Sequence, residues 1–517
     1  MRVLLLTGRR AARLVREAAS EFDWAEVKVL PIDVAALMTT SFVIRHLRGE
    51  DLSEYDYVLL PGLFRGDVRR LDEELGADFR LSSRDARDLP LVLRKMEEGF
   101  EPSKDTPACE LLKEELVEEL GKKLRELERE IPEERWIEVG PIGVARGCRP
   151  RVLSEIFADN LGPSEAAREA ERRVRHGAEI VDLGFHESSP SHVEEVVRET
   201  LDRVGSEAAV SVDTGDARLI EAGLEAGAQL VLSASPNLRE PISLAADYEV
   251  PVVLVPESRR IGAAVRELGE LVEECERLDV DYILDPLLDP PGGVIDSIRR
   301  AWKVARRFPD APLFFGAGNV IELIDADSVG ASALCAQLAV ELEASIIFTP
   351  EASGKTAMST LELAVASRMC YYAHRAGGYP KDLGVDLLVF KDKRTDATRP
   401  RPGVSASRFA KTPDRDPRGN VVIEVDHERG VIVAEHVQGG KREGLRLESE
   451  DGLELGLAMV SLGLVSRLEH AVYLGYELAK AEERLKSGGR YVQDESPERY
   501  DALIEDLNRL REAERCE

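Results

Sequence analysis

The chain has 517 residues, 43% of them hydrophobic, with 98 acidic against 69 basic side chains and a formal net charge of -29. That length exceeds one ordinary domain. The charge repels phosphate backbones and anionic lipid, so neither nucleic acid nor a membrane surface is expected as a partner. The six cysteines (Cys109, Cys148, Cys275, Cys335, Cys370, Cys516) form no CxxC pair. A reducing, cytoplasmic location follows as the expectation, without a zinc or iron–sulfur site. The opening MRVLLLTGRR has too short an apolar run for a signal peptide, and no run reaches the roughly 20 apolar residues of a membrane span.

Residues 1–100 read as an N-terminal αβ domain. RVLLLTG is a strand, the Ala- and Arg-rich run after Arg9 a helix, and VKVLPI and YDYVLLPGL two more strands. A small doubly wound layer is expected. The turn TGRRA lacks G-x-G-x-x-G, so no dinucleotide site is inferred, and a scaffolding or dimerising role is the expectation. Residues 101–135 form a linker with a long amphipathic helix over 103–135. Its stripe is Leu112, Leu116, Leu120, Leu124 and Leu127. It suits packing across a neighbouring domain or a partner subunit, which leaves a homodimer open.

Eight apolar runs recur from residue 151 to 351: RVLSEIF, EIVDLGF, AVSVDT, QLVLSAS, PVVLVP, YILDPLL, PLFFGAGN and SIIFTPE. Helical stretches rich in Ala, Arg and Glu separate most of them. This alternation means parallel strands with crossover helices, and eight such units close into a (β/α)8 TIM barrel spanning 136–377. Its active site lies at the carboxyl ends of the strands. After the break GGYPKD, residues 378–517 read as a C-terminal α+β domain. It contains a strand GVDLLVFKD, a long basic surface loop from Lys393 to Gly419, a hairpin VVIEVDHERGVIVAEHV, and helices near Leu453–Leu468 and Glu469–Lys486.

Three strands carry carboxylates where a core strand needs none: Asp182, Asp213 and Asp285. A buried carboxylate requires a partner. One such residue is readily a salt bridge or helix cap. Three converging on one rim suit a ligand with adjacent N–H donors, because two oxygens accept a bidentate pair. An aminopyrimidine offers such donors. His186, Glu187 and His192 lack H-E-x-x-H spacing, and no metal-ligand set is evident. Glu351 could be a base or a helix cap, and His470 reads as a packed core histidine.

GAEIVDLGFHES, AVSVDT and ILDPLLDPPGG resemble, in order, the "GAdiiDiGgES", "pvSvDT" and "DPGigF" segments of dihydropteroate synthases. RVLSEIFADN stands at their "NvTPDSF" motif. The resemblance places a pterin-binding-type barrel at 150–350. It implies that Asp213 and Asp285 match the family's pterin-pocket aspartates, that Ser233 replaces its fourth-strand Asn, and that Asp159 matches the loop aspartate near the reaction. The synthases' Ser-Arg-Lys falls on Gly318, Asn319 and Val320, so their lysine is missing. EASGKT replaces their Arg-x-His. GAGNV instead resembles "GlSNv" of the pterin-dependent methyltransferases, in which the asparagine matching Asn319 reaches the pterin. The whole chain, through HAVYLGYELAKAEERLKSGGRYVQD, resembles archaeal dihydropteroate-synthase-related proteins linked to tetrahydromethanopterin.

The implied ligand is a pterin, either a dihydropterin or one like tetrahydromethanopterin. A synthase must also hold diphosphate, with cations, backbone amides or Mg2+. Arg259, Arg260 and Lys355 are the candidates, Lys355 in a Ser-Gly-Lys-Thr turn whose amides could face an anion. Arg151 opens the first barrel strand and points to the wrong end. Asp159 and Lys355 are the expected catalytic groups. Three functions follow: a dihydropteroate-synthase-like transferase of folate or tetrahydromethanopterin metabolism, a methyltransferase of one-carbon metabolism, and a non-catalytic pterin-binding subunit.

Overall fold

Residues 3–7 are buried on both faces (VLLLT), so the run can only be a central strand of a covered parallel sheet. The computed structural model, which describes residues 1–389, 391, 406, 416–427, 429–438 and 444–495, builds that sheet from β1 (Val3–Thr7), β2 (Ala25–Val29), β3 (Tyr57–Leu60) and β4 (Phe79–Leu81). The order is β2-β1-β3-β4, all parallel. Leu4, Leu6, Val58 and Leu60 pack on one face with α2 (Thr40–Leu47) and α3 (Val68–Leu75). Val3, Leu5 and Leu59 pack on the other with α1 (Ala12–Ala19) and α4 (Leu89–Glu97).

The linker helix covers its leucine stripe from Leu116 to Leu127 but is shorter than the expected 103–135. It runs as α5 (Lys113–Glu128) after a separate turn at Ala108–Leu111. Pro102 and Pro107 keep the earlier residues from continuing it, because proline lacks the donor a helix needs. Leu120 and Leu124 enter the main core of the barrel beside Tyr371, so the stripe is covered from within the chain.

The barrel strands are β7 (Arg151–Phe157), β8 (Ile180–Gly184), β9 (Ala209–Asp213), β10 (Leu230–Ala234), β11 (Val252–Leu254), β12 (Tyr282–Leu284), β13 (Phe314–Phe315) and β14 (Ile346–Thr349), preceded by a hairpin of β5 (Ile137–Val139) and β6 (Ile142–Val144). Their order is β12-β11-β10-β9-β8-β7-β14-β13. A parallel bridge, Leu284 to Leu313, joins the two ends and closes the ring. All eight runs read from the sequence are strands of this barrel. Inside, Leu153, Ile180, Ala209, Leu230, Val253, Ile283, Phe314 and Ile346 form an apolar floor, plugged from below by Val139 and Val144. The helices with roles below are α6 (Pro163–Arg175), α7 (Pro190–Val204), α8 (Ala217–Glu225), α9 (Glu240–Asp247), α10 (Ile261–Leu278), α11 (Val294–Arg307), α12 (Ser328–Glu341) and α13 (Ser359–Arg375).

At the amino end, Arg149 donates a paired set of bonds to Glu179 at 2.6 and 2.9 Å, and Arg151 reaches Glu128 at 2.9 Å. Arg151 thus faces away from the strand ends, as expected. The C-terminal domain pairs β15 (Asn420–Asp426), β16 (Val431–Val437) and β17 (Arg446–Ser449) antiparallel, covered by α14 (Gly452–Ser461) and α15 (Leu468–Ser487). The hairpin is where it was expected. The segment GVDLLVFKD is not a strand over its described residues. Asp386 bonds the Leu388 amide in a local turn, and Leu388 and Val389 are exposed without a neighbouring strand. The basic loop from Lys393 lies almost entirely outside the described residues. His470 is packed, with Nδ1 3.1 Å from Asp416. Among the described residues no helix is long and apolar enough to cross a membrane.

Burial alone would raise Glu179, yet Arg149 and Arg151 hold it at about 2. Because that value lies below the roughly 4.3 of an unfolded glutamate, the pair's contribution is complete above pH 4.3 and lost as pH falls toward 2. Glu179→Gln leaves Arg149 buried and unmatched, and is expected to destabilise the barrel by about 3–5 kcal/mol. Thermal unfolding of both proteins at pH 7 and at pH 3 checks this: the gap between them must narrow at the lower pH.

Candidate functional site

Side chains alternate along a strand, so residues two apart share a face. Above Leu153, Ile180 and Ala209 the next inward positions are Glu155, Asp182 and Ser211, which are register partners across β7, β8 and β9. One step higher, Gly184 is level with Asp213. The carboxylate oxygens of Glu155, Asp182 and Asp213 lie within 4.8 Å of one another. Gly184 makes room for them, since a Cβ there would sit 2.8 Å from Glu155 Oε1.

Three like charges that close cannot all ionise in a dry site. Burial, followed by the neighbouring carboxylates, drives Asp182 well above the carboxylate range. Burial and Asp213 raise Glu155 to about 7. Burial lifts Asp213 to about 6, against the pull of His186. Asp182 is fully buried. Its Oδ1 accepts from Ser211 at 2.6 Å, while Oδ2 has no hydrogen-bond partner among the described residues. Sequence spacing offers no metal set, but the fold assembles this one. Three hard oxygen donors with an unmatched lone pair fit a magnesium ion.

The second arm follows β12. Asp285 is buried and pushed up to about 7 by desolvation, opposed by the Leu287 amide, Arg259 and Arg300. The Leu287 amide donates to Asp285 Oδ1 at 2.7 Å. Arg300, on α11, has no exposed surface. Its guanidinium donates to the carbonyls of Pro286 (2.6 Å), Leu287 (2.5 Å) and Arg259 (2.8 Å), and to Asp289 (3.0 Å). Arg259 pairs with Asp289 at 2.8 Å but is 57% exposed. Asn319, in a one-turn helix after β13, donates to the Leu288 carbonyl at 2.8 Å. Asp285, Arg259 and Asn319 therefore meet on the loop of residues 285–289.

The loop after β7 is clasped to the loop after β8. The Asp159 carboxylate accepts from the amides of His186 and Glu187 and from the Ser188 hydroxyl, at 2.6 to 3.1 Å. Despite some desolvation, these donors hold it below the usual carboxylate value. His192 bonds the Ala158 carbonyl at 3.2 Å, which ties α7 to the loop after β7. Ser233 follows Leu232, the register partner of Asp213, on β10. Arg260 is exposed at the start of α10, its amide bonded to Ser258.

The eighth strand end is arranged differently from the expectation. Lys355 pairs with the exposed Asp325 at 2.9 Å and lines a cleft of about 710 Å3 against the C-terminal domain, rather than the carboxylate layer. The Ser-Gly-Lys-Thr turn does not hold its donors open for an anion. Glu322 takes them, from the Ala352 amide and Ser353 hydroxyl at 2.7 Å each and from the Thr356 hydroxyl. Glu351 is a helix cap. It accepts the Thr360 amide at 2.8 Å and pairs with Arg173 at 2.9 Å.

Glu155, Arg300 and Glu322 were not singled out in the sequence. Glu155 carried a usable signal, a charge amid an apolar run. Arg300 carried none, because arginine on a basic amphipathic helix is normally solvated.

Residues 157–283 match the family described as pterin binding enzyme, residues 415–494 the family PterinBD-DUF4346, and residues 1–82 a family of unknown function, DUF6513. The chain is similar to the uncharacterized protein MJ0107 of Methanocaldococcus jannaschii, at 31% identity over 96% of this chain and 98% of the relative. Among solved structures it is similar to dihydropteroate synthase of Yersinia pestis (21% identity, 47% of this chain, 99% of that chain, TM-score 0.38). It is also similar to that of Thermus thermophilus in complex with 6HMPPP (21%, 45% and 97%, TM-score 0.37).

Arg300→Leu removes four buried donors and leaves three loop carbonyls to find other partners. An expected loss of about 3–5 kcal/mol follows from stranding several buried acceptors at once, while Asp289 keeps Arg259. Limited proteolysis should then cut first within residues 286–293. Unchanged cleavage there would show that the loop does not depend on Arg300.

Proposed function

We propose a pterin-dependent transferase function for this chain, which belongs to the family of the M. jannaschii protein and whose barrel carries a pterin-binding-enzyme domain. The reading is dihydropteroate-synthase-like: a pterin methyl diphosphate is joined to an arylamine. One observation carries it. Asp285 stands buried and Asp213 half-buried at the carboxyl ends of two strands of one closed ring, above an apolar floor. A flat heterocycle rich in N–H groups satisfies both, because carboxylates accept paired donors.

In this reading Asp213, Ser233, Asp285 and Asn319 orient the ring. The arylamine nitrogen attacks the exocyclic methylene carbon while the bond to the diphosphate oxygen breaks, and the electron pair leaves with diphosphate. The nitrogen's proton passes to solvent or to Asp159. Arg259, beside Asp285, and the exposed Arg260 face the leaving group. Lys355 could join only from the far side of the mouth. Magnesium held by Glu155, Asp182 and Asp213 would supply positive charge against these carboxylates. Methyl transfer from a methylated pterin is the second reading. Asn319, seated on the Asp285 loop, favours it, since such transfer needs a hydrogen bond to the ring rather than a cation set.

Donors on the ring favour the ionised carboxylates, so binding must release protons near pH 6–7, where Asp213 and Asp285 are partly protonated in the free protein. Pterin affinity should rise from pH 5 to pH 8 and then level. Asp213→Asn and Asp285→Asn should each cost roughly 1–3 kcal/mol of affinity and flatten that rise. Calorimetry with pterin, pterin methyl diphosphate and methyl-pterin in turn, with diphosphate release followed on adding an arylamine, tests the reading. Affinity unchanged in both folded variants sinks the pocket. Methyl loss without diphosphate release selects the second reading.

A further inference from the structure

We propose that the N-terminal domain holds a ligand site of its own, in the crevice between β1 and β3, for a compact apolar molecule carrying one anionic group. The topology points there first. After β1 the chain crosses by α1 on one face of the sheet. After β3 it crosses by α3 on the other. Open parallel sheets bind ligands where successive crossovers diverge in this way, outside the carboxyl ends of the strands.

A cavity of about 350 Å3 lies at that position. Its walls come from the carboxyl ends of β1, β3 and β4, and include Leu6, Leu60, Leu63 and Leu89. The turn after β1 is drawn in tightly, since a Cβ on Gly8 would stand 2.8 Å from the Ile32 carbonyl. The volume is near the low end of ligand pockets, about 300–1,000 Å3. It suits a small ring or branched chain rather than a dinucleotide, consistent with a TGRRA turn that has a single glycine.

Three polar observations define the ligand's polar end. Ser82 lines the cavity and is 5% exposed, yet its hydroxyl has no hydrogen-bond partner among the described residues. Buried hydroxyls are rarely left so. The first turn of α1 also opens on the cavity at Ala11, with no side-chain cap and no acidic residue of its own, while Asp33, which also lines the cavity, is paired with Arg9. Such amides attract an anion. Arg10 adds a cation on the same wall. Its neighbour Arg9 takes Asp33 at 3.3 Å, while Arg10 makes no ion pair among the described residues. The apolar body therefore lies against the leucines, and its anionic end meets Arg10 and the start of α1.

The test uses the full chain and four probes followed by ligand-observed NMR and calorimetry: phenyl phosphate, benzoate, benzyl alcohol and inorganic phosphate. Phenyl phosphate or benzoate should bind saturably with one site per chain. Benzyl alcohol and inorganic phosphate, each lacking one half of the recognised group, should bind about tenfold more weakly or not at all. Arg10→Glu, on an exposed side chain, should weaken the bound probe by about tenfold or more. Ala36→Phe should fill the cavity and abolish binding, while Asp285→Asn should leave it unchanged. No saturable binding of either anionic probe, or binding indifferent to Arg10→Glu and Ala36→Phe, would overturn the proposal. Loss of the probe in Asp285→Asn would assign it to the barrel and overturn it equally.

Discussion

Three carboxylates stacked in the mouth of a closed barrel are the constraint the rest of the molecule answers to. An isolated buried carboxylate already costs several kcal/mol, and among the described residues Glu155, Asp182 and Asp213 have one hydroxyl, Ser211, hydrogen-bonded to the deepest of them. The hairpin plug and the apolar floor keep water from reaching them from below. Protons, a cation or ligand N–H groups must neutralise the layer from above. The positive charge that bears on Glu155 is Arg173, itself spent on Glu169 and Glu351. A layer left this short of partners favours whatever brings donors into the mouth, and a binding site is made by that deficit.

The supporting structure falls into place around it. Gly184 has no side chain because Glu155 occupies the space. Arg300 gathers three carbonyls so that the loop carrying Asp285 keeps its shape without a ligand. Asp159 ties two loops over the rim. At the opposite end the bidentate pair of the buried Arg149 with Glu179 closes the lower rim. The acidic layer weakens the fold, and the floor, the plug and this lower rim offset the loss.

What the sequence revealed follows from which signals are local. Strand and crossover alternation is local, so the barrel was legible, and a charge at the end of an apolar run marked Asp213 and Asp285. Glu155 sits two residues before its strand ends and was passed over, although its environment is the same. Arg300 and Glu322 act only through partners distant in sequence, and nothing near them distinguishes them from solvated residues. The Ser-Gly-Lys-Thr turn misled for that reason: its donors are as expected, but Glu322, from the preceding unit, already fills them. GVDLLVFKD misled because an apolar run becomes a strand only where another edge is free to pair with it.

The distribution of paired and unpaired cations bears on how an acidic chain could admit an anionic substrate. With a net charge of -29, the long-range field opposes a diphosphate, though salt screens that field beyond about 8–10 Å. Close to the mouth the balance is decided by single side chains. Arg300 is unavailable, because releasing it would strand the carbonyls it holds. Arg259 is different. Its pair with Asp289 is more than half exposed on the arginine side, and such a pair is worth about 0–1 kcal/mol. Exchanging Asp289 for a phosphate oxygen therefore costs little, while Asp289 keeps its bond to Arg300 and is not left alone. One arginine fixes the loop and its neighbour is free to turn, which lets a strongly acidic barrel present a usable positive charge beside Asp285.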